Sequence, residues 1–155
     1  MNRGKSFAAC ALLAFAGTVS AQQMDQERAE RAVETRQALL QVMAWNYGPM
    51  GAMARGRIEF DTDRVQTNAE RLLALTKMLS DAFAADTREN DVETEALDVI
   101  WEKTDDFAAK IQATIDASSA LVDAAATGDE AAMTQAIGQA GSSCGSCHDD
   151  FRLDD

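Results

Sequence analysis

The sequence is poor in several residue types that common functional sites require. Its 155 residues include one histidine, one proline, nine glycines and three cysteines. A single histidine excludes any site that needs two imidazoles from one chain, and so few turn-forming residues argue against an all-β protein. Three cysteines cannot form a disulfide framework without leaving one unpaired. The histidine and the cysteines are therefore the informative residues.

Positive charge is also scarce. The chain has 14 Lys and Arg against 26 Asp and Glu, a formal net charge of −12, and no basic run. Nucleic acid is therefore not expected as a partner. A redox partner protein, if there is one, is expected to dock through a basic face.

The first 21 residues have the layout of a secretory signal peptide. Arg3 and Lys5 give a basic start, residues 7–17 form an apolar run, and small residues precede a cut after Ala21. The run is too short for a stable membrane anchor, and no second one follows, so no membrane attachment is expected after removal. The mature domain would be residues 22–155, with a net charge of −14.

The mature chain is predicted to be all-α, because its apolar residues recur at helical spacing and never in sustained alternation. The predicted helices cover about 25–54, 61–84, 95–127 and 129–153. Pro49 predicts a kink or a local break in the first helix. Asp61 and Asp129 are expected N-caps, and Gly128 is an expected C-terminal cap. Short connections between amphipathic helices indicate an antiparallel four-helix bundle.

The last predicted helix contains Cys144-x-x-Cys147-His148, the pattern for covalent attachment of c-type haem. Two thiols one helical turn apart can add to the two vinyl groups of one haem. The next residue, His148, can then place a ring nitrogen on the iron as the metal ligand. The motif continues an apolar stripe at steps of three or four residues, made by Met133, Ile137, Ala140, Cys144, His148 and Phe151.

Other uses of two such cysteines fit less well. A thioredoxin-type redox pair needs a βαβ context, which the pattern does not show. Zinc needs four ligands, and the mature chain offers three Cys and His in all. A disulfide between adjacent turns of one helix would close too short a loop to stabilise much.

With one histidine, the sixth iron ligand can only be Met, another weak donor, an exogenous molecule, or nothing. Met43 lies on the core side of the first helix and is the candidate among the six methionines after Met1. Methionine at helical spacing is more often a core filler.

Several segments resemble the cytochromes c′ over essentially the whole mature chain. They are the C-terminal Cys144-x-x-Cys147-His148 with Gly141 before it and Arg152 after it, the run from Arg36 to Met43, the segment from Trp101 to Phe107, and residues 126–129. Most small cytochromes c carry the haem motif near the N-terminus, so its C-terminal position is the more specific part of the resemblance.

The resemblance implies an exported, periplasmic bacterial haem protein with one haem c per chain, usually a homodimer packed through its first two helices. The iron would be five-coordinate and high-spin, and Leu40, four residues after Arg36, would cover its distal face. Low-spin relatives carry Met at that position and use it as a ligand. Arg36 would lie near a haem propionate and Arg152 near the proximal side. Phe151 stands where many relatives have Tyr.

These implications favour a protein that binds small diatomic gases, nitric oxide and carbon monoxide, and can cycle between ferric and ferrous iron. An apolar pocket without an imidazole donor disfavours dioxygen, which gains from a hydrogen bond. The alternative is a low-spin electron-transfer cytochrome with Met43 as the distal ligand. A small haem peroxidase, a third possibility, would need a distal acid–base residue, and no enzymatic activity is expected.

Overall fold

The computed structural model describes residues 24–153, and the predicted signal peptide lies outside them. Four long helices pack as a bundle, which confirms the predicted fold class, and two single-turn helices lie in the connection between the second and third of them. The helices are α1 Gln26–Ala54, α2 Thr62–Thr76, α3 Leu79–Ala82, α4 Val99–Glu102, α5 Thr104–Ala126 and α6 Glu130–Phe151.

Short polar side chains define where the long helices begin. Asp25, Asp61 and Asp129 each accept a hydrogen bond from a backbone N–H in the first turn that follows, as expected of N-caps. Gly128, just beyond the end of α5, has φ of +70°, a conformation that favours glycine. The caps predicted at residues 61, 128 and 129 are therefore confirmed.

Two helices are shorter than predicted, and α1 continues through the proline where a kink or a local break was expected. The second helix ends at Thr76 and resumes only as α3, and the third begins at Thr104 because Lys103 leaves helical geometry at φ −117° and ψ 56°. In contrast, α1 continues through Pro49. Because proline has no N–H, the Trp45 carbonyl four residues earlier receives no helical hydrogen bond from it.

The bundle core is made by one stripe from each long helix. α1 packs against α2 and α6, and α5 packs against the same two helices, so the four helices form a closed square. Within residues 24–153, eight large side chains are less than 2% exposed, and five of them are apolar: Met50, Leu121, Met133, Ile137 and Val65. The other three are Asn46, Thr76 and Ser118.

The long connection between α2 and α5 runs across the end of the bundle where α1 begins and α6 finishes. Gln37 on α1 donates to the Glu93 carbonyl at 3.4 Å. The Leu97 amide donates to the Phe151 carbonyl at 3.1 Å. The start of α1 and the end of α6 therefore lie at the same end of the bundle, so these two neighbouring helices are antiparallel.

Candidate haem site

The Cys-x-x-Cys-His motif lies on the last two turns of α6. Both Cys144 and Cys147 are free thiols and half-buried, whereas the His148 side chain is exposed. Their spacing places all three on one side of the helix. A Cβ built on Gly145, between the two cysteines, would meet nothing within 4 Å, so the space beside the backbone is open there.

Burial shifts the pKa values of these three groups toward their neutral forms. Burial raises the pKa of Cys144, and burial together with the neighbouring Cys144 raises the pKa of Cys147 to about 11. Both thiols are thus neutral near pH 7, where thiolate-driven side reactions are slow. Although His148 is exposed as a whole residue, partial desolvation of its ring, and then the Arg152 cation, lower the pKa of His148, which favours the neutral imidazole that binds metals.

The described residues form no other site that could bind a metal ion. No group of three or more His, Cys, Asp or Glu side chains in residues 24–153 is arranged to hold one. Extended pairing in the same range is limited to an isolated bridge between Ala96 and Arg152. Two thiols and one imidazole on one helical side are the donor set that a covalently bound haem requires.

A tyrosine on α1 fixes the position of the motif. The Tyr47 hydroxyl donates to the Ile137 carbonyl of α6 at 3.1 Å. The same hydroxyl fills the place that a side chain on Gly141 would occupy, because a Cβ built there would overlap it. α1 and α6 therefore come together one turn before Cys144. Sequence reasoning missed this contact; the only visible signal was a lone Tyr on the core side of α1 and a Gly inside α6.

This contact also sets which part of α1 faces the histidine. Two turns back along α1 from Tyr47 lies Leu40, and two turns forward along antiparallel α6 from Ile137 and Gly141 lie residues 144–148. Because both helices rise 1.5 Å per residue, the stretch of α1 around Leu40 lies level with the haem motif along the bundle axis. Leu40 is 37% exposed, whereas Met43 is 7% exposed and belongs to the hydrophobic core.

Arg36 is buried in the connection between α2 and α5 rather than exposed on α1. It is 2% exposed, and its guanidinium donates to the Ala82 carbonyl at 2.8 Å, the Thr87 hydroxyl at 3.1 Å and the Ala85 carbonyl. The central carbon of the guanidinium, Cζ, lies 5.0 Å from the ring centroid of Trp101, within the range of a cation–π interaction. Three of its five N–H groups are used in this way, so contact with a haem propionate stays a prediction.

The end of α6 is fixed from two sides. The Arg152 amide donates to the His148 carbonyl at 3.0 Å, and its side chain lies 3.8 Å from Glu95. Phe151 is buried and meets Phe107 edge to face, with ring centroids 5.0 Å apart. Arg152 therefore lies one helical turn after the histidine, at the place where the connection between α2 and α5 meets α6.

Comparison with known proteins agrees with this arrangement. Residues 31–152 match the sequence profile of the cytochrome c′ family. The chain is 39% identical over 127 residues to the cytochrome c′ of Cereibacter sphaeroides, covering 81% of this chain and 85% of that protein. Cytochrome c prime from Shewanella frigidimarina superposes with a TM-score of 0.77 at 37% identity, covering 84% of this chain and 100% of that one.

A further solved structure is the nitric oxide complex of a leucine variant of cytochrome c prime from Alcaligenes xylosoxidans. It superposes with a TM-score of 0.73 at 32% identity, covering 81% of this chain and 97% of that one. Fold and site together define a c-type haem protein built on a four-helix bundle. The chain belongs to the cytochrome c′ family, and its cofactor is covalently bound haem c.

The Tyr47 contact predicts opposite effects for two glycines of α6. Gly141→Ala should lower the free energy of unfolding by about 1–3 kcal/mol, because the new methyl group displaces the tyrosine hydroxyl. Gly138→Ala, where a Cβ meets nothing within 4 Å, should raise it by about 0.5–1 kcal/mol through helix propensity. Denaturant unfolding of the haem-loaded proteins measures both.

A Tyr47→Phe background provides the control for this pair. The cost of Gly141→Ala should shrink there, because the hydroxyl that overlaps the methyl group is gone. An equal cost in both backgrounds, or stabilisation by Gly141→Ala itself, would contradict the contact.

Proposed function

We propose that this chain holds five-coordinate, high-spin haem iron and binds small diatomic gases, nitric oxide above all, with electron transfer as an accompanying capacity. Cys144 and Cys147 attach the haem and His148 is its iron ligand. The bound haem supplies an iron with one open coordination position and a ferric/ferrous couple. The observation that supports the proposal most is the register of α1 against α6, which puts the stretch of α1 around Leu40 level with the haem motif, while Met43 is packed in the core.

Leu40 would make the distal side of the haem selective among gases, because it offers no hydrogen bond to a bound ligand. Its side chain has no hydrogen-bond donor, and the chain has no second histidine to supply one. Dioxygen gains from such a donor, whereas nitric oxide and carbon monoxide do not need it. With haem bound and Leu40 over the iron, a gas would have to displace the Leu40 side chain, which is 37% exposed and so is not tightly packed. The relative solved as a nitric oxide complex supports the same choice of ligand.

The alternative, a low-spin electron-transfer cytochrome with Met43 as sixth ligand, is supported less well. Met43 is 7% exposed and packs in the bundle core. Its thioether would have to leave that packing to bind iron, at the cost of a cavity. Core filling is the simpler role for this side chain.

We also propose that the chain is exported, with residues 1–21 as the removed signal peptide and residues 22–155 as a periplasmic haem domain. Within residues 24–153, no helix is long and apolar enough to cross a membrane. The protein would act by binding a gas or passing an electron rather than as an enzyme. A peroxide turnover assay on the haem-loaded protein tests that last point.

A homodimer through α1 and α2 is the oligomeric state that the exposed surface supports. Trp45 is 69% exposed and Val42 is 44% exposed on α1, although both are large and apolar. Beside Trp45 lies a groove of about 370 Å³ between α1 and α2 that carries both signs of charge, from Asp61, Asp63, Arg64 and Arg71. A patch with both signs can pair with its own copy across a two-fold axis.

Leu40→Ala should make carbon monoxide bind to the ferrous protein on the order of tenfold faster, because removing a barrier of about 1.4 kcal/mol changes a rate tenfold. Flash photolysis or stopped flow measures the on-rate. Met43→Leu, the matched control, should leave the on-rate and the ferric spectrum unchanged. An unaltered on-rate in Leu40→Ala, or loss of a low-spin spectrum in Met43→Leu, would overturn the proposal.

Trp45→Glu should convert the dimer to a monomer at micromolar concentration, because the substitution would place a carboxylate in the centre of the interface. Sedimentation across a concentration series measures this. Leu153→Glu, at a residue that is 56% exposed at the other end of the chain, serves as the control and should stay dimeric. If both variants sediment like the unchanged protein, the interface lies elsewhere.

A further inference from the structure

Lys110, on the second turn of α5, is bound to the haem-attachment turn of α6. Its Nζ donates to the Ser146 carbonyl at 3.1 Å and to the Ser146 hydroxyl at 2.7 Å. It also pairs with the Asp150 carboxylate at 2.7 Å. Ser146 lies inside the motif, immediately before Cys147, and Asp150 lies two residues after His148. The cation therefore spans the segment that carries the second cysteine and the iron ligand.

The geometry is more specific than that of an ordinary surface ion pair. A lysine ammonium has three N–H groups, and Lys110 has three acceptors, a carbonyl, a hydroxyl and a carboxylate. The Lys110 and Asp150 side chains are 30% and 54% exposed. An ion pair this exposed contributes little to the stability of the fold. Its effect depends instead on where its two charges lie relative to the haem motif.

The position of the pair matters because reduction of haem iron adds one electron, and therefore one negative charge, to the site. A nearby cation favours the reduced form and a nearby anion favours the oxidised form. The Lys110 cation lies against the turn that carries Cys147, through its contacts with Ser146 and Asp150. Other charged groups face the same turn, namely Asp149, Glu95 and Arg152. Lys110 differs from these groups because it lies on the neighbouring helix α5 and donates hydrogen bonds to Ser146 inside the motif.

We propose that Lys110 and Asp150 form a proximal charge pair that holds the haem-bearing turn of α6 against α5 and sets the balance between the ferric and ferrous protein. Lys110 acts here as a positioning residue, since it contacts the haem-bearing turn rather than a gas ligand. The inference depends on haem attachment through Cys147 and His148, and not on which gas binds.

The test is a spectroelectrochemical titration of the haem-loaded protein at low ionic strength, where exposed charges are screened least. Lys110→Met removes the cation and leaves Asp150 unpaired, so the equilibrium should move toward ferric protein by about threefold to tenfold. Asp150→Asn leaves the cation unpaired, so it should move by a similar factor toward ferrous protein. A tenfold shift is 59 mV for one electron.

Two further variants complete the test. Lys110→Arg keeps the charge and should stay within about twofold of the unchanged protein. Arg57→Met removes one exposed cation at the opposite end of the bundle and should also stay within about twofold, since two charges separated by most of the length of a helix interact only weakly through water. Shifts of opposite sign in Lys110→Met and Asp150→Asn support the proposal. Shifts of the same sign would show only a structural effect and overturn it, as would no shift in either. If Lys110→Met fails to fold, the direction of the Asp150→Asn shift decides alone.

Discussion

The contact between Tyr47 of α1 and the backbone of α6 is the constraint on which the candidate site depends. It exists because Gly141 has no side chain, which lets the phenol hydroxyl reach the Ile137 carbonyl. Once this point is fixed, helical geometry determines the rest of the pairing between two antiparallel helices. The stretch of α1 around Leu40 lies level with residues 144–148, and Met43 is packed in the core.

The end of the bundle that holds the site is stabilised by buried polar and aromatic contacts rather than by a larger apolar core. Arg36 joins α1 to the connection between α2 and α5 through two carbonyls and a hydroxyl. Phe107 packs edge to face against both Phe83 and Phe151. These contacts fix the connection against the end of α6, so the histidine lies on a turn that is supported from α1, from α5 and from the connection.

The helices and the haem motif could be predicted from the sequence because both are local patterns. Apolar spacing and capping residues such as Asp61 and Asp129 identify helices, and the spacing of Cys144, Cys147 and His148 identifies the attachment site. Breaks such as the one at Lys103 could not be predicted, because they depend on tertiary packing. The same is true of the burial of Arg36 and of the three acceptors of Lys110, which come from segments distant in the sequence.

Absorption spectra of the haem-loaded protein in the ferric and ferrous states distinguish an open coordination position beneath Leu40 from methionine ligation. Five-coordinate iron should give broad high-spin bands in both states and a marked change when nitric oxide is added to the ferrous protein. A sharp, intense α-band on reduction, a weak far-red band in the ferric state and no response to nitric oxide would contradict it and indicate methionine ligation.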